Sequence, residues 1–365
     1  MFLISSQYIN CRCGLHLDEY QSIDSKTGKL GIINSKGKFT ACHNHKHITR
    51  EKYNEVIPQI IDEFIKAGFY ATERYFQKEL DSVKEYKSLI NDTVDINSIT
   101  AQKTTKSNAI IRKYMIHIHE VEDYKGNNIL KLWNKENLMR VFKSLDKPNY
   151  TVNSNFSEIK RSLKFNPVTI YSPIMTKSII KLLDCKTVFD PCIGWGGRMI
   201  GTTCLGDDYH YTGCEPFTKT FSGLEKMIKE LNIESQVDIY NSPVESMLDV
   251  LDDKHYDMCL TSPPYYDLEV YSHEESQSIK RYNTYEKWLN EFIRPIIDFV
   301  CSHVGKYSCW SVKNIKTDKK YNLLDDVIRI HNENGWSLNR EYSIKKNTQK
   351  NKTTDGDITY VFSKG

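Results

Sequence analysis

The chain has 365 residues, with 50 Lys or Arg and 47 Asp or Glu, so its formal net charge is only +3. Any affinity for an anionic partner must therefore come from local patches, because the overall field is weak. No stretch resembles a signal sequence, and no window approaches the roughly 18 apolar residues of a membrane span. We expect a soluble, cytoplasmic protein that binds no membrane, with its scattered cysteines reduced.

The first 50 residues form a polar, loop-rich segment with repeated glycines and the cluster ACHNHKH. Cys11, Cys13, Cys42 and one histidine, His43, His45 or His47, are candidates for a structural zinc site, because Zn²⁺ binds thiolate sulfur and imidazole nitrogen. Cys-x-Cys with a distant Cys-x-x-His is not a standard spacing. The alternative is a polar loop with incidental cysteines.

Residues 51–155 are predicted to be mainly helical and are a candidate region for target recognition. Apolar residues repeat there at the helical period and would share one face: Ile57, Ile60, Ile61, Phe64 and Ile65. Further along, His117 and His119 alternate with isoleucines, which favours the polar face of a strand over a metal-ligand pair. Turn-forming residues at 146–155 predict a linker.

In the segment 156–365, short apolar strands alternate with amphipathic helices. Strands are predicted at 186–190, 210–216, 236–240, 256–262, 306–315, 336–344 and 357–363, and helices at 217–231, 244–251, 285–304 and 323–334. This alternation predicts an α/β fold, a doubly wound, mostly parallel seven-stranded sheet with helices on both faces. The last two strands have no helix between them, so they form an antiparallel C-terminal hairpin.

Polar residues and glycines stand at the ends of successive strands, where ligands of such sheets bind. The first strand runs into DPCIGWGGR, in which Asp190 is followed by Gly194 and Gly196. Glycines let the backbone approach a ligand closely. The second strand ends at Glu215, a carboxylate placed to bind the hydroxyls of a ribose, and Phe217 is placed to lie against an adenine.

The third strand is followed by Asn241 and Ser242, whose side chains are expected at the adenine edge. No Lys–Ser/Thr pair follows the glycines of the first loop, which argues against a phosphate-binding loop. Each signal alone has an ordinary explanation as a turn, a helix cap or a loop start. All of them at successive strand ends favour a nucleotide-like cofactor.

Two motifs resemble those of the S-adenosylmethionine-dependent DNA amino-methyltransferases of viruses and prokaryotes. DPCIGWGGRM (190–199) is similar to the cofactor motif of that family, with Cys192 where phenylalanine is common. TSPPYYDLEVYS (261–272), followed by QSIKRYNTYEKWL (277–289), resembles its catalytic motif. The resemblance covers residues 165–365. It implies the class I methyltransferase fold, S-adenosyl-L-methionine as cofactor and double-stranded DNA as partner.

The resemblance also implies roles for particular residues. Pro191 and Cys192 would belong to the cofactor loop, and Pro173, in FNPVTIYSPIMTKSII, would lie near the methionine end of the cofactor. Serine at position 262 is most often associated with cytosine-N4 enzymes, whereas adenine-N6 enzymes more often carry Asp or Asn there. We therefore expect cytosine N4 as the preferred target, with adenine N6 as the alternative.

The elbow Ser262–Pro263–Pro264–Tyr265 suits methyl transfer to an exocyclic amine, a poor nucleophile because its lone pair is delocalised. Ser262 Oγ and the Pro263 carbonyl can accept hydrogen bonds from both amine protons, and the prolines fix that carbonyl. Tyr265 offers a face on which a base taken out of its stack can lie. No covalent cysteine is required, so we interpret Cys259 as a core residue.

Other segments are expected to contact the substrate. The Lys-rich segments 313–320 and 345–356 are expected on the rim of the site, where they would contact phosphates. Target recognition is expected from residues 1–160 and from the loop 266–284. The competing hypotheses are methylation of RNA bases or of a protein glutamine, and a catalytically inactive nucleic-acid-binding module. The elbow serine and the intact cofactor motif disfavour them.

Overall fold

The computed structural model describes residues 21–23, 30–33, 39–41, 50–76, 80–94, 107–144, 159–160, 163, 168–343 and 358–365. Three predicted features lie outside these ranges: the zinc ligands Cys11, Cys13, Cys42 and His45, the linker 146–155 and the Lys-rich segment 345–356. The chain divides into two compact units, Met1–Glu79 with Asn127–Pro167 and Leu80–Gly126 with Val168–Gly365.

The first unit is mainly helical among its described residues. Its helices span Arg50–Ala67, Phe69–Phe76, Ile129–Leu132 and Lys135–Ser144. Three short antiparallel strands, Gln21–Ile23, Leu30–Ile33 and Phe39–Ala41, occur where the sequence predicts loops. The apolar face predicted for the first helix is buried at Ile57, Ile60, Ile61 and Phe64, whereas Ile65 is 38% exposed.

Residues 80–126 belong to the second unit, although the sequence groups them with the helical region 51–155. They supply the helices Ser82–Asn91 and Asn108–Tyr114 and the 3₁₀ turn Ile116–His119. Their apolar side chains join the core of the large sheet, and the buried members are Tyr86, Leu89, Ile110, Ile111, Met115 and Val121. This packing explains the difference in boundaries; the recognition role of 51–155 stays a prediction.

Seven strands form the large sheet of the second unit: β1 (Thr187–Asp190), β2 (His210–Cys214), β3 (Val237–Tyr240), β4 (Tyr256–Thr261), β5 (Val304–Ser311), β6 (Trp336–Ser343) and β7 (Ile358–Lys364). Their order is β3–β2–β1–β4–β5–β7–β6. Strand β7 is antiparallel to both neighbours, and the other neighbouring pairs are parallel. This is the class I methyltransferase fold, so the predicted fold class is confirmed.

Helices cover both faces of this sheet and span Pro173–Leu183, Gly197–Thr203, Thr218–Leu231, Tyr285–Trp288, Arg294–His303 and Leu323–Glu333. A π-helical turn, Leu289–Ile293, joins two of them into the single helix that the sequence predicts at 285–304. Alternate residues of β4 face opposite sides, since Met258 and Cys259 belong to different core clusters. No described helix is long and apolar enough to cross a membrane.

The predicted helix 244–251 is wrong. Only a 3₁₀ turn, Val244–Ser246, begins there, and it is followed by turns in which the Leu251 N–H donates to the Met247 carbonyl at 3.0 Å. Val244 and Leu251 are nevertheless buried. Successive turns therefore bring the apolar residues of this segment to the core, so the apolar spacing does not distinguish them from a regular helix.

Candidate active site

A cavity of the second unit lies at the carboxyl ends of β1, β2 and β4, the edge at which such sheets bind ligands. Nine of the predicted site residues line it: Pro191, Cys192, Gly194, Glu215, Phe217, Ser262, Pro263, Pro264 and Tyr265. Aromatic side chains, among them Tyr171, Trp195 and Phe292, complete much of the wall. One cavity thus joins the glycine loop after β1 to the elbow after β4.

Asp190, the last residue of β1, precedes the lining residues Pro191 and Cys192 and is not itself part of the cavity lining. Its carboxylate is fully buried and accepts hydrogen bonds from Arg198 Nε at 2.6 Å and from the Tyr211 hydroxyl at 2.5 Å. Thr261 Oγ1 donates to the other oxygen at 2.9 Å, and Arg198 also donates to the Cys192 carbonyl. Asp190 therefore fixes the glycine loop to three strands, and its direct contact with a cofactor stays a prediction.

Glu215 follows β2 and directs its carboxylate at two backbone N–H groups. Oε2 accepts from the N–H of Gly194 at 2.9 Å, and Oε1 accepts from the N–H of Phe217 at 2.9 Å. Burial raises the pKa of Glu215 to about 8. The Glu215 carboxylate is thus held in the cavity wall beside the glycine loop. Its predicted role, binding the hydroxyls of a ribose, stays a prediction.

Two glycines of the loop, Gly196 and Gly197, pack so closely against their neighbours that a Cβ atom would clash. A Cβ at Gly197 would lie 2.0 Å from the Tyr171 carbonyl oxygen, and a Cβ at Gly196 would lie 2.7 Å from Leu224 Cδ2. Gly196 also has a φ of +84°, in the left-handed region that glycine adopts without strain. Gly196 is not in the cavity lining, so its observed role is to let the loop pack closely.

Pro173, Asn241 and Ser242 also lie outside the cavity lining. Pro173 is buried in the first turn of its helix, next to the lining residues of the 168–172 segment. Asn241 Nδ2 donates to the Glu215 carbonyl at 2.9 Å, which links the ends of β3 and β2. Ser242 Oγ donates to the carbonyl of the next residue at 3.3 Å. Their contacts with a cofactor stay predictions.

The elbow begins directly after Thr261, the last residue of β4. The Tyr265 hydroxyl donates to the Ser311 carbonyl at 3.4 Å, and Lys313 Nζ lies 5.3 Å from the centroid of the Tyr265 ring. This distance is within the range of a cation–π contact. The predicted stacking residue is therefore held between a neighbouring strand end and a lysine of the Lys-rich segment 313–320.

Tyr266, to which the sequence assigns no role, anchors the chain after the elbow. Its φ of +43° lies in the left-handed region, which is unfavourable for a bulky residue. The ring is buried in an aromatic cluster formed with Tyr285, Trp288 and Tyr321. Packing of this cluster holds the strained backbone, and it thereby fixes the direction of the elbow.

Cys259 is a core residue, as the sequence predicts. It is fully buried in one cluster with Phe189 and Trp310. Burial raises the pKa of its thiol well above the ordinary value, so the nucleophilic thiolate is disfavoured.

His117 contacts the cavity wall, and the sequence misassigns it. It lies in a 3₁₀ turn, not in a strand, and its Nε2 is hydrogen-bonded to Thr220 Oγ1 at 2.8 Å. Its ring centroid lies 5.4 Å from that of Trp195 and 5.2 Å from that of Phe217. Burial lowers the pKa of His117 to about 4, which keeps the ring neutral. No local motif marks this histidine, because its partners are far along the chain.

Two acidic residues that line the cavity, Glu245 and Glu269, have no role predicted from the sequence. With Glu215 they give the described lining three carboxylates, against one basic side chain, Arg198, which is paired with Asp190. Such a lining suits a neutral or positively charged ligand better than a polyphosphate.

Within the described residues, no group of three or more His, Cys, Asp or Glu side chains could hold a metal ion. The zinc site suggested at Cys11, Cys13, Cys42 and His45 lies outside those residues and stays a prediction.

No family model and no curated protein matches the chain. Among solved structures, TrmN from Thermus thermophilus matches at 11% identity and a TM-score of 0.37, over 53% of this chain and 49% of that one. An S-adenosylmethionine-dependent O-methyltransferase from Thermotoga maritima matches at 12% identity and a TM-score of 0.35, over 57% and 70%. TYW2 from M. jannaschii, solved with AdoMet, matches at 11% identity and a TM-score of 0.31, over 49% of this chain and 69% of that one. The chain spans about half the length of TrmN, and the strand order alone defines its fold.

Proposed function

We propose that the protein is an S-adenosylmethionine-dependent methyltransferase that modifies an exocyclic amino group of a flipped base in double-stranded DNA. Cytosine N4 is the preferred target and adenine N6 is the alternative. One observation carries the proposal: the Glu215–Gly194 contact after β2 and β1 and the Ser262–Tyr265 elbow after β4 line the same cavity. A cofactor site and an amine-activating site are thereby adjacent.

The residues of the cavity fit this cofactor. Glu215 presents a carboxylate to a ribose diol, which carries two hydroxyl donors. The acidic lining suits a ligand that carries a sulfonium, and Trp195 and Phe217 offer apolar surfaces. The cofactor, when bound, supplies a methyl group that the sulfonium has already activated.

The elbow would supply acceptors for the amine. Ser262 Oγ and the Pro263 carbonyl accept its two hydrogens, which concentrates the lone pair on nitrogen, and Pro264 limits the motion of that carbonyl. Tyr265 supports the base by stacking. The chain's contribution is positioning, which suits an in-line displacement in which the nitrogen–methyl bond forms as the sulfur–methyl bond breaks.

A basic hairpin is the proposed contact with the DNA backbone. The paired strands Ile315–Lys316 and Lys320–Tyr321 form a hairpin from the Lys-rich segment 313–320 and the next residue. Thr317 Oγ1 donates to Asp267 Oδ2 at 3.2 Å, and the Tyr321 hydroxyl donates to the same oxygen at 3.3 Å. The hairpin is therefore tied to the residue two positions after Tyr265. Replacing the exposed Lys316 by Ala should lower the salt slope of DNA binding by about one, whereas the exposed Lys226→Ala should leave it unchanged.

Target recognition is proposed for the loop 266–284 and for the residues before 160. Removal of everything before residue 160 is not a clean test, because Ile110 and Met115 are buried in the core of the methyltransferase unit. Substitutions in exposed side chains of the full chain, read out as sequence selectivity on defined duplexes, are the appropriate test.

The target is tested by incubation with cofactor that carries a deuterated methyl group, followed by digestion and mass spectrometry. Duplex DNA, RNA and protein are offered in separate reactions. Labelled 4-methylcytosine in DNA supports the proposal, and labelled 6-methyladenine in DNA supports its alternative. Label in RNA or in glutamine, with none in DNA, would assign the site to a different substrate.

A further inference from the structure

Glu269 is a buried carboxylate of the cavity to which the elbow mechanism gives no chemical role. It lines the cavity together with the elbow residues Ser262 and Tyr265, and only 9% of it is exposed. Glutamate side chains are rarely buried, because taking a charge out of water costs free energy. A buried glutamate in the wall of a reaction site is therefore a candidate for a part in the chemistry.

Two backbone features place Glu269 next to the elbow. The Leu268 N–H donates to the Tyr265 carbonyl at 2.9 Å, which closes a turn directly before Glu269. Glu269 and Val270 then form a short antiparallel pair with Glu122–Asp123. The carboxylate is thus carried on a short strand that begins one turn after the elbow.

The Tyr271 hydroxyl orients this carboxylate. It donates to Glu269 Oε2 at 2.7 Å, and burial raises the pKa of Tyr271 well above its ordinary value, so the hydroxyl keeps its proton. The Tyr271 ring centroid lies 5.9 Å from that of Trp195, and both residues line the cavity. A carboxylate has about four lone-pair sites, so this hydrogen bond does not exhaust the capacity of Glu269 to accept.

Methyl transfer to an exocyclic amine releases one proton, and that proton needs an acceptor. The nitrogen–methyl bond forms with the nitrogen lone pair, and the electrons of the broken bond stay on sulfur. The nitrogen then carries two hydrogens, a methyl group and a positive charge. Loss of one proton returns the N–H electron pair to nitrogen and leaves a neutral methylamino group. Ser262 Oγ and the Pro263 carbonyl accept hydrogen bonds but are too weakly basic to hold that proton.

The strand order distinguishes Glu269 from the other two carboxylates of the described lining. Glu215 follows β2, and β1 lies between β2 and β4, so the ends of β2 and β4 are roughly 10 Å apart. Glu245 follows β3, one strand farther from β4. Both oxygens of Glu215 also accept from backbone N–H groups. Of the three, Glu269 is the one carried on the chain that continues from the elbow.

We infer that Glu269 is the general base that removes this proton from the target amine. The inference rests on the proposed function and deepens it, since it adds a catalytic residue outside the predicted elbow. The proton passes from the amine nitrogen to a carboxylate oxygen of Glu269 and returns to water after the product has left. The Tyr271 hydroxyl holds the carboxylate in position for this step.

The first test compares the wild type with Glu269→Gln in the full chain, and the exposed Glu286→Gln is the matched control. The single-turnover rate of methyl transfer to duplex DNA should fall at least about 100-fold in Glu269→Gln and stay unchanged in the control, because a general base contributes about 10²–10⁴-fold. Calorimetry should show little change in affinity for S-adenosylmethionine. A selective loss of that affinity, with binding of S-adenosylhomocysteine retained, would assign the carboxylate to the sulfonium charge and overturn the inference.

Chemical rescue is a second measurement, which a purely structural role would not affect. Glu269→Ala leaves space in the cavity wall, so added formate should restore its transfer rate by at least about tenfold by acting as the missing base. Ser262→Ala, which loses a hydrogen-bond acceptor and no base, should not respond to formate. Folded Glu269 variants that transfer at the wild-type rate, or a Glu269→Ala rate that formate leaves unchanged, would overturn the inference while the proposed function stands. A wild type that transfers no methyl group to DNA would contradict the proposed function itself.

Discussion

The backbone N–H of Gly194 donates a hydrogen bond to Glu215 Oε2 over 2.9 Å, and this contact joins the glycine loop after β1 to the end of β2. The same carboxylate accepts from the N–H of Phe217, so both of its oxygens are oriented by backbone. Two sequence signals 21 residues apart are therefore one structural feature.

Glu215→Gln should weaken cofactor binding about tenfold and remove its dependence on pH, because hydrogen bonds to a charged group are the stronger ones. Burial raises the pKa of Glu215 to about 8, and a cationic ligand favours the ionised form. Wild-type affinity should therefore rise from pH 6 to about 8 and then level off. Calorimetry at fixed ionic strength measures both effects, and an equal pH slope in the variant would rule out Glu215 as the titrating group.

Ionisation of Glu215 should strengthen cofactor binding but lower the free energy of unfolding. Because its pKa is raised in the folded state, the folded protein holds more protons than the unfolded chain between the ordinary value of 4.5 and about 8. Its contribution to stability is thus present below that window and is lost as pH rises through it. Urea unfolding without ligand should show a smaller decline with pH in Glu215→Gln than in the wild type.

Asp190→Asn should destabilise the protein by about 3–5 kcal/mol, because it leaves the buried Arg198 guanidinium without a counter-charge. Asp190 is fully buried and Arg198 is 4% exposed. The control is Asp208→Asn, which removes an ion pair with the exposed Lys186. Loss of this pair should lower the free energy of unfolding by less than about 1 kcal/mol. Urea unfolding compares the two. A cost for Asp190→Asn no larger than that of the control would contradict this account of the loop.

Cys259→Ala should leave methyl transfer nearly unchanged and cost stability of about 1–3 kcal/mol, because a buried side chain is truncated in a packed core. The thiol lies in the core cluster and is held neutral by burial. Initial rates of methyl transfer and a thermal unfolding curve are the two measurements. Loss of transfer in a folded variant that still binds cofactor would show that the cysteine takes part in the chemistry.

Tyr265→Ala should lower kcat/KM for DNA by about 10- to 100-fold, since stacking of a base on an aromatic ring contributes about 1–3 kcal/mol. Cofactor affinity should change little. Tyr265→Phe is the matched control: it keeps the ring and removes only the hydroxyl, whose bond to the Ser311 carbonyl is long at 3.4 Å. If the two variants lose activity equally, the hydroxyl and not the ring face is the important group.

The sheet and the motif residues could be predicted because each depends on local sequence. The strands β1 to β7 follow apolar runs, and Glu215 and Ser262 stand directly at strand ends. His117 and Glu245 could not be found in this way, since loops distant in sequence bring them to the cavity and its wall. The segment 244–251 was misjudged because turns and a helix bury the same apolar residues.

The most direct test of the central claim pairs two measurements on the wild type and on Ser262→Ala. Both proteins are titrated with S-adenosylmethionine, and both are incubated with duplex DNA and methyl-labelled cofactor before mass spectrometry of the nucleosides. We predict equal cofactor affinities, labelled amino-methylated nucleoside from the wild type, and a rate about 100-fold lower from the variant, because one preorganised hydrogen-bond partner is lost. Equal transfer by both proteins, or cofactor binding with no label in DNA, would contradict the account.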